Sequence, residues 1–416
     1  MKALLAFLTG LLLLAVNTQS WANEKITIGV ISILTGKFTV LGEDAVRGFE
    51  LAIKNLDREA TNIPELDVVM GATDGTAESA VAVARELIEE KNAQIVIGPV
   101  SGAEGLALKE LAAEYENITF VNGIASDPMI TLENPQDNYF RFNTDAVQWS
   151  AGLGNYVYDT KGWEKIVTIV EDHEFAKSNL AGFTYEYCKA GGEVLSNFQQ
   201  QLGNNSFEDL IAQIPAEADA IYLGLGGFAA IDFLEAYRQA DGEAGIIGGS
   251  LMVDGALLSV RGDLADLLEG TPSAGSQTNN LQDRRWLEFV NQYREGFPAE
   301  QRFPVPSPLA TGYYNAANAV LQCVGQAGTD LGEKQNNLRD CLTALKLEAP
   351  NGNIRLDSNR QAIGENYVYE LEKHADGTLS TRMVKRVEEV SQSLGADAEA
   401  FAGYLTGESG LACSNG

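Results

Sequence analysis

Apolar runs and amphipathic segments alternate along this chain, twice over, and that rhythm limits its fold more than any other feature. KITIGVISIL (25–34) is rich in Ile and Val and predicts a strand. GEDAVRGFELAIKNLDRE (42–59) then sets Ala45, Val46, Phe49, Ala52, Ile53 and Leu56 at helical spacing. LDVVMG, QIVIGPV and ITFVNG read as further strands. TAESAVAVARELIEEK and GAEGLALKELAAEY read as the helices between them, with Thr76 a candidate N-cap. The rhythm restarts with VQWSAGLGNYVYDT as a helix. KIVTIVED, EVLSNFQQ, ADAIYLGLG and GIIGGS follow as strands, interleaved with NLAGFTYEYCKAGG, SFEDLIAQIPAE and GFAAIDFLEAYRQA as helices. Such alternation predicts an α/β fold with two doubly wound parallel sheets, each covered by helices.

Beyond residue 270 the pattern changes. GTPSAGSQTNN reads as a crossover, and RRWLEFVNQYREGF, ATGYYNAANAVLQCVGQAG and NNLRDCLTALKL as helices. NGNIRLDSNRQ and NYVYELEKHADGTLSTRMVKRV read as a β-hairpin or meander, and residues 391–416 as an irregular tail, docked or partly mobile. Three crossings join two lobes in this reading, near Asn143–Ala146, Ser276–Asn279 and Ile354–Asp357. One lobe takes residues 23–142 with 278–354, the other 143–277 with 355–416. Several crossings make a hinge with two faces pressed around a cleft. Open parallel sheets hold ligands there, outside the carboxyl ends of their strands.

The first residues belong to export rather than to the fold. Lys2, the apolar run Ala3–Val16 and the small residues Ser20 and Ala22 form a signal peptide with cleavage after Ala22. The run is too short to span a bilayer, and no later segment is long and apolar enough. A soluble periplasmic protein is expected, with no Cys at the cleavage region to carry a lipid. Removing residues 1–22 leaves 394 residues and takes away one base, so 28 basic residues face 58 acidic ones, a net charge of −30. Nucleic acid is excluded as a partner, because phosphates need clustered Lys and Arg. With two His, His173 and His374, a zinc cluster is not expected. No cofactor is expected either.

Four Cys in an exported chain permit disulfides. Cys323 and Cys341 lie on neighbouring helical segments and are expected to pair, which leaves Cys188 for Cys413.

One stretch carries chemistry. IVIGPVSGAEGLALKELAAE leaves a strand through small residues, Ser101–Gly105, directly into a helix. Unsatisfied N–H groups and the helix dipole at such a start favour an anion. The competing reading is a turn that merely caps the helix.

The chain also resembles a known family. ITIGVISILTGKFTVLGEDAVRGFELAI looks like the opening of type I periplasmic binding proteins, in the branch that takes branched-chain amino acids and related compounds. IVIGPVSGAEG, ITFVNGIASDP and ADAIYLGLGGFAAIDFLEAYRQA follow in that family's order. The resemblance implies a monomer of two lobes that closes on a small ligand and delivers it to the membrane permease of an ABC importer. It implies donors at Ser101 and Gly102 for the ligand carboxylate, a carbonyl at Ile124 for its ammonium, and a hydroxyl and amide at Ser126. Leu41, with Phe38 nearby, and Phe175 match its pocket residues.

Two positions depart from the family. Its second-lobe aromatic falls at Gly226, leaving volume that Phe228 would fill by swinging in. Its acidic ammonium partner falls near Ser250, so Asp254, Asp172 or Glu174 would have to substitute, unless the ligand is a carboxylate without an amine. An enzyme is the rival class. G-x-S-x-G is missing, GLGGFAA does not fit G-x-G-x-x-G, and His173 has no evident nucleophile to serve. A ligand sensor is the third reading.

Overall fold

The computed structural model describes residues 25–56, 63–204, 206–253, 255–406 and 413. The signal-peptide segment and Asp254 lie outside the described residues. Among the described residues, no helix is long and apolar enough to cross a membrane.

The first alternation folds into one parallel sheet. β1 (Ile26–Ile33), α1 (Thr39–Lys54), β2 (Leu66–Thr73), α2 (Ala77–Arg85), β3 (Ile95–Ile97), α3 (Gly102–Ala112), β4 (Thr119–Asn122) and β5 (Tyr139–Arg141) follow in chain order. The strands lie in the order β2-β1-β3-β4-β5, all parallel. Period-two alternation splits their side chains between two cores. Ile28, Val30, Ile95 and Ile97 face one helical layer. Ile31 and Val96 face the other. Both layers are apolar, which is why these strands read as nearly unbroken hydrophobic runs.

The second alternation repeats the plan. β6 (Lys165–Glu171), α4 (Glu174–Ala190), β7 (Glu193–Gln200), β8 (Ala220–Gly224), α5 (Gly227–Gln239) and β9 (Gly245–Gly248) form a parallel sheet ordered β7-β6-β8-β9. Val167, Ile169, Ile221 and Leu223 face one side. Ile166, Val170, Ala220 and Tyr222 face the other.

The chain then returns to the first sheet. α6 (Arg284–Gly296), α7 (Pro308–Ala327) and α8 (Asn336–Ala344) follow, and α7 packs along α1. That contact needs Gly48, because a β-carbon there would lie 1.9 Å from the Ala310 carbonyl oxygen.

Several expectations change here. The crossover GTPSAGSQTNN contains a strand, β10 (Pro272–Gly275). It joins β11 (Leu347–Ala349), β12 (Gly352–Leu356), β13 (Ala362–Lys373) and β14 (Leu379–Val390) in a five-stranded antiparallel sheet. Small residues hid that strand; pairing with β13 makes it. The helix predicted over VQWSAGLGNYVYDT is broken. A 3-10 turn covers Gln148–Ser150, Gly152 takes φ of +86°, and a short helix restarts at Leu153. Residues 391–416 are not simply irregular, because α9 (Ala398–Thr406) forms within them. Phe401 is buried there, edge-on to Tyr185 at 5.1 Å. Both predicted cysteine pairs form, Cys323–Cys341 and Cys188–Cys413, the latter joining residue 413 to α4.

Candidate functional site

Two loops at the carboxyl ends of β3 and β4 meet side by side. They are laced through Pro99, whose carbonyl accepts the amides of Ile124 at 3.0 Å and Ala125 at 3.3 Å. The first loop ends on Ser101, the N-cap of α3. Its hydroxyl accepts the Glu104 amide at 3.2 Å and donates to the Gly75 carbonyl at 2.9 Å. Its own amide donates to Oε2 of Glu104 at 2.9 Å. This reciprocal arrangement is a capping box. The expectation that Ser101 offers its amide and hydroxyl to a ligand is therefore corrected, since the protein uses both donors itself. The signal was present in the sequence as S-x-x-E, residues 101–104.

What the capping box leaves open are the amides of Gly102 and Ala103, which reach no acceptor among the described residues. The second loop adds three more such donors. The amide and hydroxyl of half-buried Ser126 are unmatched, and so is the amide of Asp127. A β-carbon at Gly102 would lie 3.7 Å from the Asp127 nitrogen, so the two sets are neighbours. The Ile124 carbonyl, expected to meet a ligand ammonium, likewise receives no hydrogen bond among the described residues.

Carboxylates border this ledge. Glu104 is fully buried, and its second oxygen takes the Thr73 hydroxyl. Asp127 is also buried, with Oδ1 capping the Met129 amide at 2.8 Å. Burial pushes the Asp127 carboxyl above its ordinary value, and Glu174 adds to the rise, while the Met129 amide and Arg141 oppose it. A raised value favours the neutral acid, which lessens repulsion toward an anion on the ledge.

Arg141 braces the second loop from behind. Its fully buried guanidinium donates to the carbonyls on both sides of Ser126, Ala125 at 3.4 Å and Asp127 at 2.7 Å. It also reaches Thr131 Oγ1 at 2.7 Å, Asp145 Oδ2 at 3.3 Å and Gln361 Oε1. Gln392 donates to Asp145 at 2.8 Å, and Gln148 to the Ala362 and Val390 carbonyls at 2.8 and 2.7 Å. Segments that pass between the sheets are thus knotted beneath the ledge.

The other half supplies aromatics. Phe175, at the start of α4, packs edge-on against Trp149 with ring centres 5.4 Å apart, and against the core that holds Ile124. Trp149 was not anticipated from the sequence. It is buried, and its indole N–H is held by Thr144, at 3.1 Å from the carbonyl and 3.0 Å from the hydroxyl. His173 caps α4, with Nδ1 accepting the Ala176 amide at 3.4 Å, and its ring stacks on Phe175.

Other predicted residues sit differently. Gly226 N-caps α5, and a β-carbon there would lie 3.3 Å from Leu251 Cβ, so Leu251 takes the volume expected to be vacant. Phe228 is 77% exposed rather than turned into the cleft. Phe38 is 40% exposed with Lys37 over its ring, and Leu41 is half-buried; neither lines the cavities described next. Asp172 and Glu174 both pair with Lys177, at 2.7 and 3.5 Å. Ser250 is tied to Asn179, donating its amide to Oδ1 and accepting Nδ2 at its hydroxyl, each at 3.0 Å.

Two small chambers adjoin Trp149 between the halves. One, of about 60 Å³, is lined by Ser250, Gln277 and Tyr369 among others. The second, of about 10 Å³, is lined by Ile124, Asn315 and Glu365 among others. Trp149, Ser276 and Pro308 belong to both. Each contains a residue with an orphaned buried oxygen, Gln277 Oε1 and Asn315 Oδ1.

Known proteins share this architecture. The Leu/Ile/Val-binding protein homolog 6 of Brucella melitensis biotype 1 is 21% identical over 399 residues, covering 92% of this chain and 96% of that protein. An ABC transporter substrate-binding protein from Sphaerobacter thermophilus superposes with a TM-score of 0.78 at 22% identity, over 88% of this chain and 98% of that one. A solute-binding protein of an ABC transporter from Rhodopseudomonas palustris BisB5, solved with 3,4-dihydroxybenzoic acid, gives 0.76 at 22% identity, over 89% and 99%. The model of the periplasmic binding protein family matches residues 25–378, most of the chain. With its two parallel sheets and the donor-lined ledge between them, this chain belongs to the periplasmic binding proteins.

Proposed function

We propose that this protein is the exported substrate-binding component of an ABC importer, and that it takes an amino acid of the branched-chain or other hydrophobic type, or a similar small carboxylate. The observation that carries the reading is the ledge of five unmatched donors at Gly102, Ala103, Ser126 and Asp127. Amides at a helix start, joined by a hydroxyl, suit a carboxylate group. Phe175, Trp149 and Ile124 supply apolar cover beside it.

In this reading residues 23–142 with 278–354 and residues 143–277 with 355–416 move as two bodies, and the ligand favours the closed arrangement. A ligand drives that shift only through higher affinity for the closed state. The closed monomer then presents a surface to a membrane permease. The protein works by binding and release, not by turnover. A second reading, a carboxylate without an amine, is supported by the Ser250 end of the cleft. No acid is among the described residues that line the chamber there, and a buried ammonium needs one.

Thermal-shift screening against amino acids, aromatic acids and short amides tests the reading. A true ligand at a hundredfold excess over its Kd adds about 2.7 kcal/mol. A shift with leucine or isoleucine alone selects the amino acid, and a shift with aromatic acids alone selects the amine-free class. No shift with any carboxylate, or conversion of a hit detected by mass spectrometry, overturns the proposal.

A further inference from the structure

We propose that the larger chamber behind Trp149 is a subsite for an uncharged hydrogen-bond donor on the ligand, a hydroxyl or an amide N–H, received by Oε1 of Gln277. This rests on the reading that the cleft holds a small carboxylate at the Ser126 ledge, and it assigns the chemistry of the ligand's far end.

Gln277 is only 8% exposed. Its Nε2 donates to the Pro306 carbonyl at 2.9 Å, which fixes the amide's orientation and leaves Oε1 as the other end. That oxygen has no hydrogen-bond partner among the described residues. No hydroxyl among the described residues nearby donates to it. The Thr278 and Thr381 hydroxyls bond each other at 2.8 Å, and the Ser250 hydroxyl accepts from Asn179. A buried carbonyl oxygen without a donor is costly, so a guest that brings one is favoured over a guest that does not.

Charge narrows the class further. None of the described residues lining this chamber is an acid or a base of the Asp, Glu, His, Lys or Arg type. Glu365, which lines the adjoining chamber, is engaged by Arg386, by the Tyr367 hydroxyl at 2.8 Å and by the Asn353 amide at 3.2 Å. Among the described lining residues, an ammonium would find no counter-charge and a second carboxylate no cation. A neutral hydroxyl between Trp149 and Pro308 meets neither penalty. About 60 Å³ accommodates such a group, or ordered water in its place.

Isothermal titration of the purified protein with benzoate, 4-hydroxybenzoate, 4-(aminomethyl)benzoate and L-leucine decides the matter. The expected result is 4-hydroxybenzoate binding about tenfold or more tightly than benzoate or 4-(aminomethyl)benzoate. Gln277→Met, close in shape but without the acceptor, should bring hydroxybenzoate and benzoate to within about twofold of each other. Equal affinities in the unaltered protein, or an unchanged ratio in the variant, overturn the subsite and give the oxygen to water. If the variant does not fold, the ratio in the unaltered protein alone is the test. Leucine binding more tightly than all three benzoates overturns the subsite but leaves the carboxylate reading standing. Failure of all four, with no carboxylate hit in the thermal screen, removes the reading and the subsite together.

Discussion

Two neighbouring regions treat their polar groups in opposite ways. At the hinge, the guanidinium of Arg141 makes five hydrogen bonds, one for each of its N–H donors, and every acceptor is buried protein. On the ledge it supports, five donors at Gly102, Ala103, Ser126 and Asp127 have no protein acceptor among the described residues. Burial forces the polar groups of the knot to pair, whereas Gly102 and Ser126 are half-buried and Ala103 is exposed, so the ledge donors are open to solvent and free to meet a ligand. Arg141 links them, because the carbonyls it holds flank Ser126.

The largest expected effect lies in the matched region. Arg141→Met strands the fully buried Asp145 carboxylate and frees both loop carbonyls. Breaking such a pair costs about 3–5 kcal/mol. Urea unfolding should show it as a lowered midpoint, and Asp145→Asn in the same chain should recover part. A midpoint unchanged by Arg141→Met would break the contrast.

A partly matched group should behave between the two extremes. Glu186 accepts the Gly152 amide at 2.7 Å, but burial pushes its carboxyl up to about 7, against the pull of that amide, Lys385 and Lys189. Its folded value lies above the ordinary 4.5, so the folded state holds the proton more tightly than the unfolded one. This group therefore disfavours folding increasingly as pH rises from about 4.5 through about 7. Melting temperatures between pH 5 and 8 should fall less steeply in Glu186→Gln than in the unaltered protein. Parallel curves would mean that the carboxylate is matched after all.

The smallest effect on stability belongs to the ledge. Ser126→Ala removes a hydroxyl that bonds no described protein group, so the melting temperature should hold. Affinity for the strongest hit of the thermal screen should weaken by about three- to tenfold, the worth of one hydrogen bond. Unchanged affinity would take Ser126 out of the site, and a large loss of stability would move it into the matched class.

Much of this was legible in the chain itself. Ile28, Val30, Ile95 and Ile97 announced buried parallel strands because both faces of such a sheet are covered. Thr76 was readable as a cap because capping is local, and its hydroxyl does accept the Ser79 amide. The loop at Gly102 was singled out from small residues at a helix start, whereas the loop at Ser126 was singled out only by the family resemblance. Ser101 was misjudged although S-x-x-E stood in view, because a capping serine and a ligand-binding serine have the same neighbours until Glu104 is seen to turn back. β10 was missed because Pro272–Gly275 has little strand propensity of its own and owes its form to β13.

The sequence by itself determined what depends on residues a few places apart: strand and helix periodicity and helix caps. Only the tertiary structure decided which donors and acceptors are left over. Arg141 meets Gln361 across 220 positions, and Gln148 meets the Val390 carbonyl across 242. Oε1 of Gln277 and Oδ1 of Asn315 are orphans because nothing distant among the described residues reaches them. Local rules set the shape of each segment, but whether a buried polar group is satisfied depends on groups far along the chain.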